Sequence, residues 1–518
     1  MKSRITVAFQ EEGKNQTEYT VEADGLFMYR DHMSSADSLR SFITDFRQSK
    51  QDFNECYGAY RMSIVYEGGS VFFSDNSGMM RYYINTREQS VYCSLEEAEK
   101  DRQKRIPNYH AIAQFLCYGC VYDQQTVLQS VILSDPNVYY VISDGQMEER
   151  TKNLKAIADY QNEKKTLKEI IAQAVAHCDG VIGCTITGGV DSRAVLANLL
   201  DLGIKPPLAI TGHESQPDVK IAQEIAETLG LNISVISDAI EEDDWLDQSI
   251  KEADGQEGIC SIYRLDKFAK YLQKNRIDLQ FGGMNGEMYK NSFLNQDFPI
   301  YCGKPRWDRF YQYKVGTFNY DQSLWGGKIR NEIDRLPSFL KPWLSSHQGT
   351  NKAEAYLNAG YELMQARCNL VINMFQRHVT YYNPLMERRM AAYAYGNNPY
   401  RLEMQAFQRR EVTEKCGKIK DIPTDRGLTC NYGKRGREFL KSYLFLVKIA
   451  LQRLLFRNRI DIRIDPCFET GLHSEAYYQA IENVKRLEIL GADIRPEDIP
   501  TGLADRLFTI GLLFASKQ

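Results

Sequence analysis

The sequence predicts an α/β protein. An N-terminal α+β domain with an antiparallel sheet would precede a parallel-sheet domain with a largely helical C-terminal part. Three observations predict this class. The chain has 518 residues, more than a single hydrophobic core usually serves. Strand patterns separated by turns fill the first 150 residues, whereas strand and helix patterns alternate from Val181 onward. From about Lys304 the patterns are mostly helical.

Short strands and turns organise residues 1–150, which we predict to be the first domain. Apolar and polar residues alternate over 58–85, and the alternation breaks at Gly68-Gly69, which is typical of a β-hairpin. The remaining predicted elements are a strand over 137–145 and helices over 36–49 and 108–119.

Residues 155–430 are predicted to form the second domain, in which a helix follows most of the short strand patterns. Such connections favour right-handed crossovers and therefore a parallel sheet. Ligands bind beyond the carboxyl ends of parallel strands, and glycines at 188–189, 212 and 282–283 lie there. The predicted strands are 181–187, 207–211, 232–237 and 277–283.

Composition and charge narrow the class of protein. An apolar share of 43% and a charged share of 25% are typical of a folded soluble chain. A net charge of −4 gives no general attraction to nucleic acids, so we expect no nucleic-acid partner. The N-terminus lacks the apolar core of a signal peptide and the 12 cysteines are scattered. We therefore expect free thiols and a cytoplasmic protein.

Residues 431–518 are predicted to be a helical extension packed on the second domain. Its longest apolar stretch is interrupted by polar side chains such as Lys448, so we expect no transmembrane segment. The narrow polar stripe of this helix is typical of a core helix. Basic residues from Lys434 to Arg459 support the alternative hypothesis of peripheral association with an anionic membrane.

The strongest functional signal is a strand pattern that runs through two glycines into a helix, CTITGGVDSRAVLANLL (184–200). A helix N-terminus offers unpaired N–H groups and partial positive charge, which together favour phosphate. Gly188 and Gly189 would let a polyphosphate approach the backbone. Ser192 adds a hydroxyl donor, and Asp191 can hold magnesium. The structural alternative is a turn in which Asp191 or Ser192 merely caps the helix.

Several segments carry a resemblance to a known family. TGGVDSR (187–193) resembles the SGGxDS pyrophosphate loop of the ATP pyrophosphatases. Its surroundings are most similar to the synthetase domain of asparagine synthetases and their relatives, the β-lactam synthetases and lasso-peptide cyclases. The strand pairs of residues 1–150 resemble the glutaminase-like (Ntn) domain of that family. Other similar segments are TGHESQPDVKIAQEIAETLGL (211–231), YYNPLMERRMAAYA (381–394) and QAFQRREVTEKCGKIKDIPTDRGL (405–428).

The resemblance implies an adenine-nucleotide α-hydrolase-like (PP-loop) domain and an AMP-forming carbon–nitrogen ligase with ATP and Mg²⁺ as cofactors. ATP would activate a carboxylate as an acyl-adenylate with release of pyrophosphate, and an amine or ammonia would displace AMP. The implied nucleotide-binding residues are Thr187, Gly188, Gly189, Asp191, Ser192, Arg193, Thr211, Gly212, Gly282 and Gly283. The implied catalytic residues are Asp191, Ser192, Glu287 and Arg426, and the implied metal ligands are Asp191 and Glu287.

The first departure from the family lies at the N-terminus. Members with glutaminase activity begin Met-Cys, whereas this chain begins Met1-Lys2-Ser3. The family's nucleophile is the cysteine that Met removal exposes, and Lys2 supplies neither the thiol nor the small side chain. We therefore expect the N-terminal domain to lack glutaminase activity.

The second departure lies in FGGMNGEMYKNS (281–292). Gly283 and Gly286 stand at two acidic positions of the family, and only Glu287 remains. The lysine that the family carries near its Ile-Pro turn is also absent, and Asp425 or Arg426 lies near that position. The implied metal set therefore shrinks to Asp191 with Glu287 as a partner.

Further arginines could supply the missing positive charge. Arg409, Arg410 and Arg426 are candidates to bind phosphates, with surface ion pairs as the structural alternative. The lost acids favour a ligase with another acid and amine over asparagine synthesis. Two alternatives remain open. One is an intramolecular lactam or macrolactam cyclase, which needs no ammonia, and the other is a nucleotide-binding pseudoenzyme.

Overall fold

The computed structural model describes residues 2–9, 17–163, 165–241, 244–298, 300–316, 320–396, 398–456 and 466–515. An antiparallel sheet forms the N-terminal region, and a separate parallel sheet follows in the middle of the chain. Helices surround the parallel sheet and continue to the end of the described chain. The α/β class and both predicted kinds of sheet are confirmed.

The N-terminal region contains strands that pair mainly with their neighbours in sequence, because short turns connect them. Six of them form one antiparallel sheet in the order 1-2-5-6-10-11. The predicted hairpin at Gly68 is confirmed as the fifth and sixth strands. The strands are β1 (Lys2–Phe9), β2 (Thr17–Gly25), β3 (Met28–Tyr29), β4 (Cys56–Tyr57), β5 (Tyr60–Tyr66), β6 (Gly69–Ser74), β7 (Tyr83–Asn85), β8 (Ser90–Tyr92), β9 (Val131–Leu133), β10 (Val138–Ser143) and β11 (Gln146–Thr151).

A helix covers one face of the six-stranded sheet. Phe42 and Ile43 of this helix belong to one buried cluster with Val21, Met62 and Phe73 of the sheet. Alternate strand residues point to the same face, which gathers these side chains on one side. The helices of this region are α1 (Ser35–Arg47), α2 (Leu95–Ala98) and α3 (Tyr109–Tyr118).

The parallel sheet contains all four predicted strands and a fifth that the sequence analysis missed. All of its neighbouring strands run parallel, as the intervening helices require. The fifth strand has only three residues, too few for a periodic pattern. The elements are α4 (Leu167–Ala176), β12 (Val181–Thr185), α5 (Val190–Asp201), β13 (Leu208–Thr211), α6 (Pro217–Leu229), β14 (Ile233–Ile236), α7 (Trp245–Glu252), α8 (Ile259–Lys274), β15 (Ile277–Phe281) and β16 (Thr380–Tyr382).

Apart from β16, the described chain after residue 304 is helical and irregular, as predicted. The last helix, residues 501–513, packs against α8 and α3 and so joins the C-terminal end to both halves. None of the 12 cysteines forms a disulfide, as their scattered pattern predicts. The helices are α9 (Trp307–Phe310), α10 (Gly327–Ser346), α11 (Lys352–Phe375), α12 (Arg388–Tyr395), α13 (Pro399–Glu403), α14 (Ala406–Lys415), α15 (Arg435–Phe456), α16 (Pro466–Gly471), α17 (Glu475–Arg486) and α18 (Thr501–Leu513).

Helix α15 differs from the predicted core helix. Leu440 and Leu444 are 56% and 58% exposed, and Tyr443 and Val447 beside them are also exposed. This spacing places all four on one helical face. The side chain of Lys448 and the basic residues Arg457 and Arg459 lie outside the described part of the chain. Within the described residues, we find no helix with the length and apolar character needed to span a bilayer.

Candidate functional site

The order of strands in the parallel sheet reverses once, between β12 and β15. From β12 the chain adds β13 and β14 on one side and then returns to add β15 and β16 on the other. The crevice at the carboxyl ends of such strands is the usual ligand site of open α/β sheets. Residues 187–192 follow β12 and residues 282–287 follow β15, so most of the predicted site residues meet at this crevice.

The two loops at the crevice lie in direct contact. A Cβ added at Gly283 would stand 2.7 Å from the amide nitrogen of Ser192. A Cβ added at Gly286 would overlap the carboxyl group of Asp191. A side chain at position 283 would therefore force the two loops apart, whereas one at position 286 would displace the Asp191 carboxylate.

The glycine loop donates its amide hydrogens to side chains of the protein itself. The amide of Thr187 donates to Ser192 Oγ at 3.2 Å, and that of Gly189 donates to Thr187 Oγ1 at 3.2 Å. The amide of Gly188 donates to Asp218 Oδ1 at 3.0 Å. Helix α5 has Gly189 at its N-cap and no side-chain cap, so neither Asp191 nor Ser192 caps the helix. The simple capping alternative is therefore wrong.

Asp218 places a carboxylate where an incoming anion would meet the loop. It belongs to the first turn of α6 and reaches across to Gly188. Burial and the nearby Asp425 raise the pKa of Asp218, while the Gly188 amide and Arg193 oppose that rise. A phosphate at Gly188 would have to displace this carboxylate.

Both carboxylate oxygens of Asp191 are engaged. Oδ2 pairs with the ammonium of Lys290, and Oδ1 accepts from Gln408 Nε2 at 3.1 Å. The same Gln408 nitrogen also donates to the carbonyl of Gly286 at 3.1 Å. Burial opposes the charge of Lys290, but the carboxylates of Asp191 and Glu287 outweigh burial and raise its pKa.

Sequence reasoning missed Lys290 and Gln408. Lys290 stands in the same twelve-residue stretch in which two acids are lost, so a basic residue replacing acids was the available signal. Gln408 lies in α14, within a segment already noted for its arginines, and no local pattern singles it out.

Arg193 takes a different place from the predicted nucleotide contact. Its side chain is fully buried, and it donates to the carbonyls of Ile422, Pro423 and Gly188 at 2.6, 2.7 and 3.1 Å. These bonds hold the Ile-Pro turn against the glycine loop. Arg193 therefore shapes the loop from behind.

Of the three other predicted arginines, two lie away from the cavity beside the crevice and one lines it. Arg409 is buried and donates to the carbonyl of Met404 at 3.0 Å, and burial lowers its pKa. Arg410 lies over the ring of Tyr432, 5.1 Å from its centroid. Arg426 alone among the three lines the cavity beside the crevice.

The remaining predicted glycines lie at the ends of other strands. The amide of Gly212 donates to the carbonyl of Ile236 at 2.9 Å, and its φ of +138° favours glycine. Thr211 ends β13 and is partly exposed. The amide of Gly282 donates to the carbonyl of Tyr382 at 3.0 Å, which links β15 to β16 beyond the last paired residues.

A cavity of about 740 Å³ opens beside the crevice. Glu287 and Arg426 line it, so two of the four predicted catalytic residues share this space. Residues 118–120 bring the N-terminal region to its wall, and α18 brings the C-terminal end. Its ionisable lining carries both signs: Glu257, Glu287, Asp505, Lys314, Arg367, Arg426 and Arg506.

The described residues contain no group of three or more His, Cys, Asp or Glu side chains placed to hold a metal ion. No protein-family model matches this chain, and a search of curated proteins finds no match. The case for a function therefore depends on the motifs, the strand order and the geometry of the crevice.

Proposed function

We propose that this chain is an asparagine synthetase-like, ATP-dependent ligase that forms an amide with release of AMP and pyrophosphate. The observation that carries the proposal is the glycine loop 187–192 at the reversal of strand order, next to a cavity lined by Glu287 and Arg426. A nucleotide on the loop and an acid in the cavity would lie side by side.

Each part of the crevice has a role in this proposal. The amides of Gly188 and Gly189 and the first turn of α5 bind the phosphates, with Ser192 as a hydroxyl donor. The backbone at Thr211 and Gly212 binds the adenine. Asp218 leaves Gly188, and Thr187 Oγ1 leaves Gly189, when the phosphates arrive.

The reaction would proceed in two displacements. A carboxylate oxygen of the acid attacks the α-phosphorus, an O–P bond forms, and pyrophosphate leaves. An amine then attacks the acyl carbon, a C–N bond forms, the C–O bond to AMP breaks, AMP leaves with that electron pair, and the amine nitrogen releases a proton to solvent. Positive charge from Lys290 and Arg426 would stabilise the departing pyrophosphate.

Pyrophosphate–ATP exchange over a panel of carboxylic acids tests this proposal. Exchange should require a particular acid, and Asp191→Ala should abolish it because the anchor of Lys290 is lost. An unchanged thermal unfolding midpoint serves as the control for folding. Exchange that survives in Asp191→Ala would refute the role of Asp191, and the absence of exchange with every acid of the panel would refute the assignment.

The source of the amine separates two forms of the ligase. The missing N-terminal cysteine predicts that purified protein releases no glutamate from glutamine. Product formation without ammonia would favour the intramolecular cyclase, whereas dependence on ammonia or an added amine would favour the intermolecular ligase.

A second candidate is a nucleotide-binding protein without catalysis. The engagement of Asp191 by Lys290 and Gln408 and the carboxylate of Asp218 at Gly188 favour it. ATP binding without pyrophosphate release over the whole acid panel would support this candidate over the ligase.

We also infer that α15 docks the protein on anionic membranes. Basic and apolar side chains share the exposed part of this helix, a combination that suits an interface of anionic headgroups and acyl chains. Flotation with anionic vesicles should be strong at low salt and weaker at high salt, and absent with neutral vesicles. No flotation at low salt would refute docking. Among the described side chains of α15, the exposed basic and large apolar ones are Arg437, Leu440, Lys441, Tyr443, Leu444 and Val447.

A further inference from the structure

The magnesium ion implied by the resemblance does not fit the residues at Asp191. Both oxygens of that carboxylate already accept from nitrogen donors, one from Lys290 and one from Gln408. Position 286 carries no side chain, and an acid there would overlap Asp191. Within the described chain, no group of three or more His, Cys, Asp or Glu side chains is placed to bind the ion instead.

A cation is nevertheless present in the crevice. The ammonium of Lys290 pairs with Asp191, and the charge of Glu287 also acts on it. Lys290 directly follows the short helical turn Gly286–Tyr289, which holds the start of its side chain beside the first turn of α5. About a fifth of the Lys290 side chain is exposed.

The two glycines and the lysine belong to one arrangement. Gly283 and Gly286 let the loop after β15 approach Asp191 and Ser192 closely. Acids at those positions would add negative charge, and magnesium would then be needed to neutralise it. Without them, one ammonium balances Asp191 and keeps further N–H donors for a ligand.

We propose that the Lys290 ammonium takes the place of a divalent cation, so that a nucleoside triphosphate binds at this crevice without metal. This inference rests on the proposed function, because it names the cation that accompanies the nucleotide on the glycine loop. Lysine is a common point-charge ligand for phosphate. Here it comes from the loop after β15 rather than from the glycine loop itself.

Binding would divide the ammonium between two partners. Lys290 keeps Asp191 on one side and donates a second hydrogen to a phosphate oxygen on the other, since an ammonium has three donors. Asp191 is then a positioning residue for Lys290. Gln408 holds the second oxygen of Asp191 and fixes the direction of the pair.

Equilibrium binding of ATP to the full-length protein, measured by calorimetry in EDTA and in excess Mg²⁺, tests this inference. We expect dissociation constants that agree within about threefold in the two buffers. Lys290→Met should weaken binding in EDTA by about tenfold or more, and Lys290→Arg should retain most of it.

Lys220→Met is the matched control. Lys220 is exposed on α6, so this variant removes the same charge from the protein without touching Asp191. We expect its ATP affinity in EDTA to change by less than about twofold. Circular dichroism and thermal unfolding of each variant establish that it is folded.

The possible outcomes distinguish a failure of the Lys290 role from a failure of the proposed function. Tight binding that requires Mg²⁺ would overturn the role of Lys290 and leave the proposed function standing. Equal binding in EDTA by the wild type and a folded Lys290→Met would also overturn that role. The absence of binding in both buffers would overturn the proposed function and this inference together.

Discussion

Two centres that combine an aspartate with a lysine, one in each sheet-containing region, differ in what holds them. In the N-terminal region, Asp75 is buried and accepts from the amides of Ser77, Met79 and Met80 at 3.0, 3.0 and 2.7 Å. Burial raises the pKa of Asp75, although these amides and the charge of Lys152 act against it.

Lys152, like Asp75, is buried. Its ammonium donates to the carbonyls of Ser74 and Pro136 at 2.6 and 2.7 Å and to Asn76 at 3.3 Å. Burial lowers the pKa of Lys152, and the negative charge of Asp75 opposes that change. The partners of this centre are mainly backbone atoms, so it cannot exchange them for a ligand without unfolding the turn.

The pair of Asp191 and Lys290 contrasts with that centre. Its contacts are made by side chains, and it lies at the carboxyl edge of a parallel sheet. Side chains can change partners at small cost, whereas buried backbone groups cannot. The same two residue types thus build a structural centre in one region and the centre of the proposed nucleotide site in the other.

Lys152→Met should have the largest effect on stability. It leaves Asp75 buried without its compensating charge, which costs about 3–5 kcal/mol of unfolding free energy. Lys290→Met breaks a pair that is mostly buried but leaves Asp191 bonded to Gln408, so it should cost less, about 1–3 kcal/mol. Urea denaturation of both variants measures these free energies of unfolding. Equal losses in the two variants would contradict the difference between the two centres.

Glu387→Gln should remove a pH dependence of stability. The Glu387 carboxylate accepts from the amide of Gly58 at 2.7 Å and from the hydroxyl of Tyr382 at 2.9 Å. Burial raises its pKa from 4.5 to about 8, although both donors oppose the rise. The folded state then binds more protons than the unfolded state between these values, so stability falls as pH rises through that window.

The raised pKa of Glu387 also sets the size of this pH dependence. The loss contributed by Glu387 between pH 4.5 and 8 is on the order of a few kcal/mol. Denaturation curves at several pH values should show a wild-type decline that Glu387→Gln lacks. Parallel curves for the two proteins would mean that Glu387 is not protonated in the folded state.

Asp218→Ala should have the smallest effect, and in the favourable direction. The substitution frees the amide of Gly188 and removes a negative charge from the path of a phosphate. ATP affinity should rise by about threefold to tenfold. Asp218→Asn keeps an acceptor for the amide and should give a smaller rise. Weaker binding by Asp218→Ala would mean that the carboxylate supports the loop rather than blocks it.

Much of the fold could be predicted from sequence because its signals are local. Alternation of strand and helix patterns fixed the parallel sheet, and Gly188-Gly189 identified the loop at its edge. Strand β16 escaped because three residues carry no periodicity. The exposed face of α15 was not predicted, because an apolar stripe in the sequence does not indicate whether another element covers it.

The site was predicted less fully because its contacts join distant parts of the chain. Lys290 meets Asp191 across 99 positions, and Gln408 meets it across 217. Arg193 follows the glycine loop directly, yet its bonds to the Ile422 turn send it away from the crevice. Only the folded arrangement decides which polar residues near a motif face the ligand.

A crystal structure of the wild-type protein with a non-hydrolysable ATP analogue in metal-free buffer tests the central claim most directly. We expect the triphosphate on the amides of Gly188 and Gly189, with Lys290 Nζ bonded to a phosphate oxygen and Asp218 displaced. An analogue bound elsewhere, or an empty crevice at saturating concentration with Asp218 still on Gly188, would contradict it.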